Sequence, residues 1–179
     1  MPPLDTQAIA RPLLFSLLAL ILLAGLTLIT ELSLWVCGYA AAVILLRILI
    51  LFRTPAAPSR WLLVPLTLIG ILIVLIQYRT LFGRDAGVSL LSVMLALKLL
   101  ESRTQRDFYL AIFLGFFFIV CQFLFHQSME VAAYLMLISL GLLSLLAEIN
   151  QVGQGFTPRQ SLRLGLTVML QALPIILVL

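Results

Sequence analysis

The chain has 179 residues, of which 63% are hydrophobic and only 10% charged, with a net charge of +4 and a mean hydropathy of +1.21. Ordinary soluble domains are roughly 45–50% apolar and about 25% charged, so a water-soluble globular fold is excluded. The composition predicts an integral membrane protein whose apolar runs are set by lipid thickness.

Residues 1–11 form a short polar leader containing two prolines. Leu13 to Thr30 is the first uncharged run, and its 18 residues cover ~27 Å, about one hydrocarbon thickness. Glu31 and Ser33 mark a short turn before Leu34 to Phe52, which only Arg47 interrupts, close enough to the end to snorkel. Gly38 and Ala40 to Ala42 give this run a small-residue face suited to close helix contact. A basic, Pro-containing loop (RTPAAPSR) leads to a third run bounded by Trp61 and Tyr78, residues that fit aromatic belts at two interfaces.

The fourth run, from Ala86 to Leu97, is uncharged for only 12 residues, ~18 Å against the ~30 Å of a hydrocarbon core. It spans if Lys98 and Glu101 are carried at its interfacial end, with Asp85 as the expected N-cap. A re-entrant half-helix is the alternative. The fifth run, Phe108 to Phe125, is expected to be capped by Asp107, and a short polar turn (His126 to Glu130) precedes the sixth, Val131 to Ala147. Gly141, Ser139 and Ser144 give the sixth a second small face. A long polar loop then leads into a seventh run, and the chain ends in apolar sequence, so it is expected to be one end of a longer polypeptide.

With the N-terminus inside, nine basic residues (Arg11, Arg47, Arg53, Arg60, Lys98, Arg103, Arg106, Arg159 and Arg163) face the cytoplasm, and two, Arg79 and Arg84, face out. This bias predicts an inner-membrane, multi-pass orientation with the C-terminal end exiting to the periplasm. The fourth run must then cross, because otherwise the SRTQR and TPRQSLR loops could not both lie inside. The expected architecture is an all-α polytopic transmembrane bundle, a single membrane domain over 1–179. Seven spans lie near 13–30, 34–52, 61–78, 86–102, 108–125, 131–147 and 162–179, with five or six spans as the alternatives.

The charged residues near these runs are the candidates for function. Lys98 and Glu101 are three apart, on one helical face, and with Arg103, Arg106 and Asp107 form an inner cluster. That cluster fixes topology or meets anionic lipid at the cytoplasmic face. Arg84 and Asp85, between Gly83 and Gly87, form the one charged pair of the outer turns, and His126, Gln127 and Ser128 close the fifth run on the same side. These five residues read as capped turns or as contacts for an outward-facing domain. Gln77, Gln122 and Gln171 are expected to hydrogen-bond between helices. Cys37 and Cys121 lie in apolar runs without CxxC or metal-ligand spacing, and His126, the lone histidine, has no triad or metal constellation around it. No catalytic residue, metal or cofactor is read from this chain. Nucleic acid is excluded as a partner, because no basic cluster is interleaved with aromatics.

The run Gly83-Arg84-Asp85-Ala86-Gly87, then Leu97-Lys98-Leu99-Leu100-Glu101, Arg103 and Arg106-Asp107, then Phe113-Leu114-Gly115-Phe116-Phe117 and Phe123-Leu124-Phe125 with Gln127-Ser128 resembles the TgpA-type membrane transglutaminases. The resemblance covers essentially the whole chain as that family's N-terminal membrane region, and its specific motifs lie in 78–128. It implies a downstream extracytoplasmic domain with a papain-like Cys-His-Asp triad, followed by one further transmembrane helix and a cytoplasmic tail. The implied parent activity is acyl transfer from a glutamine side chain to an amine, forming an isopeptide bond. Cys37, Cys121 and His126 do not sit in that family's catalytic motif, so the expectation is a non-catalytic membrane anchor and positioning domain. Two rivals remain at this stage: a small polytopic transporter or channel, and a membrane enzyme acting on lipid-linked substrates through Lys98, Glu101, Arg103 and Arg106.

Overall fold

The structure, a computed structural model, describes residues 11–29, 31–53, 60–79, 83–102, 104–125, 128–150 and 166–167. Six α-helices follow one another: α1 (Arg11–Leu26), α2 (Leu34–Arg53), α3 (Arg60–Tyr78), α4 (Arg84–Glu101), α5 (Gln105–Gln122) and α6 (Met129–Asn150). No strand occurs among the described residues. The seventh run expected near 162–179, with Gln171, lies outside them apart from Leu166 and Thr167. Four helices, α2, α3, α5 and α6, are long and apolar enough to cross a membrane, whereas α1 is shorter.

The helices alternate in direction, as their polar ties show. Arg47 near the end of α2 reaches Ser102 just after α4. Tyr78 at the end of α3 meets Ser33 before α2 and Ser89 early in α4, while Tyr109 early in α5 meets Asn150 at the end of α6. Helices α1, α2, α4 and α5 pack pairwise into a closed ring. Helix α3 lies against α2 and α4 on one side of that ring, and α6 against α1 and α5 on the other.

Burial within this ring runs opposite to polarity. Helix α4 carries four charged residues and two serines, yet ten of its 18 residues are buried. Helix α3 is almost wholly apolar, and its described residues bury only Gly70 and Val74. Outward faces present Leu, Ile, Phe and Trp, including Trp61, Leu68, Phe113 and Leu137, a surface suited to lipid and unsuited to water. A helix surrounded by protein can hold polar residues where their partners are. A helix facing lipid must be apolar throughout.

Several sequence expectations change in detail. Helix α1 ends at Leu26, before the expected Thr30, because the Thr27 hydroxyl is shared between the Ala24 carbonyl and Gln122 Oε1, and the backbone turns with Leu28 N–H donating to Gly25 O at 3.1 Å. Gln122, 1% exposed, also donates from Nε2 to the Ala24 carbonyl at 3.0 Å, so it joins α5 to α1 as expected of a glutamine in an apolar run. Gln77, by contrast, is exposed. Arg47 does not snorkel. It is 2% exposed, and its Nη2 donates to the Ser102 carbonyl at 2.6 Å, because the chain beyond α4 offers an acceptor nearer than solvent.

Of the two expected small-residue faces, that of the sixth run makes a close approach at Gly141, and that of the second makes none at Gly38. A Cβ on Gly38 would meet nothing within 4 Å, and Ala41 and Ala42 are exposed. The tight contacts are at Gly70, whose added Cβ would lie 2.5 Å from Val93 Cγ1 and 3.0 Å from Tyr39 Cε1, and at Gly141, where it would lie 2.7 Å from Leu20 Cδ2. Valine is stiff about χ1, whereas the end of a leucine can rotate aside. Gly70→Ala is therefore expected to destabilise the bundle by about 1–3 kcal/mol. Gly141→Ala should be near neutral, since Leu20 can yield and alanine favours helix. Unfolding midpoints of both variants in a denaturing-detergent titration check this; equal losses would contradict it.

Candidate functional site

The ion pairs seen among the described residues lie at the two ends of α4. At its C-terminal end Lys98 Nζ donates to Asp107 Oδ1 at 2.8 Å and lies 3.4 Å from Glu101 Oε2. Asp107 does not cap α5 alone. Thr104 is the N-cap, and Asp107, three residues on, completes a reciprocal capping box. The Asp107 N–H donates to Thr104 Oγ1 and the Thr104 N–H to Asp107 Oδ2, both at 3.3 Å. The threonine explains the expected cap's displacement, because its short hydroxyl reaches the third N–H from the extended conformation that precedes a helix.

One carboxylate therefore serves both the helix start and the lysine. Ser102 continues the network: its N–H and hydroxyl donate to the Lys98 carbonyl at 3.0 and 2.7 Å, and its own carbonyl takes Arg47. The α4–α5 connection is thus tied to α2 and closed on itself. Lys98 and Asp107 are about a quarter exposed and Glu101 about half. Arg106 is exposed on the first turn of α5, and Arg103 lies outside the described residues.

The N-terminal end of α4 is built differently. Gly83, at φ 142, occupies the N-cap without a side-chain bond, a conformation that favours glycine. Asp85, the expected cap, lies instead in the first helical turn, where a carboxylate complements the helix dipole. Arg84 pairs with Asp85 at 3.2 Å, donates from Nη1 to the Leu124 carbonyl at 3.1 Å, and places its guanidinium 4.5 Å above the Phe125 ring. These contacts tie the start of α4 to the turn that ends α5.

Tyr78, expected in an interfacial belt, is half-buried and accepts from Ser33 N–H at 3.3 Å and Ser89 Oγ at 3.1 Å. Ser128 stands at the start of α6, where its carbonyl accepts from Ala132 N–H and its Oγ from Val131 N–H. His126 and Gln127 lie outside the described residues.

The structure thus joins Lys98, Glu101 and Asp107 in one cluster. It joins Arg84 and Asp85 to the α5 turn. The residues the sequence did not single out as ties are Arg47, Ser102, Thr104 and Tyr78. Only Thr104 had a local signal, the T-x-x-D spacing before an apolar run. Among the described residues no group of three or more His, Cys, Asp or Glu is placed to hold a metal ion. Cys37 and Cys121 form no disulfide and are half-buried within α2 and α5. The arrangement supplies electrostatic and hydrogen-bonded closure of a bundle, with no nucleophile–base pair among these residues. Asp107→Ala is expected to cost about 1–2 kcal/mol, since it removes a cap and the shorter Lys98 contact together. Glu101→Ala, at a half-exposed ion pair, should cost about 1 kcal/mol or less. Detergent unfolding of the two variants checks the order, which a reversal would overturn.

Comparison with known proteins agrees with the motif pattern. The family described as TgpA N-terminal domain matches residues 16–179. The protein-glutamine gamma-glutamyltransferase of Pseudomonas aeruginosa strain PAO1 is 33% identical over 173 residues, which is 97% of this chain and 26% of that protein. The chain therefore spans about a quarter of the length of that relative. No solved structure matches.

Proposed function

The chain belongs to the TgpA N-terminal domain family, and from that premise we propose that it is the membrane anchor and positioning domain of a transglutaminase-like acyltransferase. The parent enzyme would form isopeptide bonds between glutamine side chains and amines in the periplasm, and residues 1–179 would take no part in the chemistry. The observation that carries this reading is the family match through the full helical region, together with a relative named for glutamyl transfer and about four times as long.

In the proposed orientation the chain sits in the bacterial inner membrane with its N-terminus in the cytoplasm, and 162–179 adds a seventh crossing that leads out to the periplasm. The basic bias supports it. The C-terminal ends of α2 and α4 and the N-terminal end of α5 share one end of the bundle, so Arg47, Lys98 and Arg106 would lie at the cytoplasmic side. There the wider basic loops would draw anionic lipid. Arg84, Asp85 and Ser128 would lie on the periplasmic side with His126 and Gln127, where the downstream domain would rest. The interior polar groups also favour an anchor over a conduit, since Gln122, Tyr78 and Arg47 are engaged in bonds that join helices.

The test compares residues 1–179 with the full-length parent, each in membranes, for insertion and for incorporation of a labelled amine into a glutamine donor peptide. The reading predicts that both insert and only the parent incorporates amine. Turnover by residues 1–179 alone would contradict it.

A further inference from the structure

Between α3 and α5, over the outward face of α4, runs a groove of about 650 Å³, within the range that holds small ligands. Its floor is Met94, Leu97, Lys98 and Glu101, spaced at i, i+3, i+4 and i+7 on one helical stripe. Leu68 of α3 and Leu110 of α5 stand on its two sides. The groove does not cross the bundle. Its deepest position on α5, Leu114, is nine residues from the helix start, which is ~14 Å at 1.5 Å per residue. Half of a ~30 Å hydrocarbon core is ~15 Å. A groove one leaflet deep, apolar along its length and charged at one mouth, matches a single membrane lipid entering from that side. A transmembrane helix would need about twice the length.

The mouth also discriminates among headgroups. Lys98 and Glu101 are the charged residues among the described ones lining it. Lys98 is engaged by Asp107 at 2.8 Å and by Glu101 at 3.4 Å, so one ammonium is offset by two carboxylates. Glu101 keeps a half-exposed carboxylate and stands ready to accept from a second cation. The lysine has a third N–H for an anionic oxygen. A mouth of this kind complements a headgroup that carries both a phosphate and a primary ammonium, with the ammonium on Glu101 and the phosphate on Lys98.

We propose that the α3–α4–α5 groove binds an ethanolamine phospholipid of the leaflet at the basic end, its acyl chain over Met94 and Leu97 and its ammonium on Glu101. This goes beyond the attraction of the basic loops for anionic lipid and assigns the lysine–glutamate mouth a different headgroup. It rests on the bundle crossing a bilayer, and it does not depend on the anchoring of a catalytic domain.

The experiment is native mass spectrometry of the detergent-purified full-length protein incubated with equal amounts of ethanolamine, choline and glycerol phospholipids of the same acyl chains. The wild type is expected to retain ethanolamine over choline lipid by about threefold, the scale of a half-exposed ion pair, because a quaternary ammonium has no N–H to donate. Glu101→Gln should bring the two to parity. Met94→Trp, which fills the floor at an exposed position, should lower ethanolamine-lipid retention. Equal retention of both lipids by the wild type, an unchanged ratio in Glu101→Gln, or a Met94→Trp variant that loses glycerol lipid instead would each overturn the proposal. A chain absent from the membrane fraction would sink the membrane reading itself, a result distinct from insertion without lipid preference.

Discussion

Helix α4 carries charge at both ends and two serines along its length, and a helix of that composition is stable across a bilayer only where protein covers it. In hydrocarbon each exposed polar group costs several kcal/mol. Ser92 turns back on the Val88 carbonyl within α4, while α3 and α5 supply the other partners, Tyr78 for Ser89 and Asp107 for Lys98. The surrounding helices follow from this constraint. They are mostly apolar outward, and several of their polar residues, Tyr78, Asp107 and Gln122 among them, bond to α4 or to α1.

The same ties give each end of the bundle a different character. At the basic end, Arg47, Ser102, Lys98, Asp107 and Thr104 form one continuous network across α2, α4 and α5. At the opposite end the ties are separate: Gln122 joins α5 to α1, Tyr78 joins α3 to α4 and to the turn before α2, and Arg84 joins α4 to the turn after α5. One end is thus a single charged network, and the other a set of separate ties between neighbouring helices. Arg84 is then less a free docking group than a clasp between the start of α4 and the α5 turn, and Asp85 beside it is half exposed.

Much of the helical layout was legible in the sequence, because long uncharged runs and the placement of Arg and Lys report directly on lipid thickness and loop position. What was not legible has a common physical cause. The short apolar run of α4 read as marginal for a span, and α4 is not among the four helices apolar enough to cross by composition; its burial by neighbouring helices is what hydropathy, which counts only a residue's own polarity, does not report. The burial of Arg47 depends on a carbonyl 55 residues away, and the role of Tyr78 on a backbone N–H 45 residues back. No local pattern encodes either. The Thr104–Asp107 box was local, and aspartate standing where glutamate or glutamine is usual directed attention to the wrong member of the pair. The groove beside Lys98 required three helices to be placed before its depth could be compared with a leaflet.

The most direct test of this account is the crossing of α4 itself. Single cysteines introduced by Asp85→Cys and Arg106→Cys, with Cys37 and Cys121 replaced by serine, can be labelled in sealed, oriented membrane vesicles with an impermeant maleimide. A helix that crosses as the hub of the bundle predicts that the two positions react from opposite faces. Labelling of both from the same face would make α4 a re-entrant segment and contradict the account.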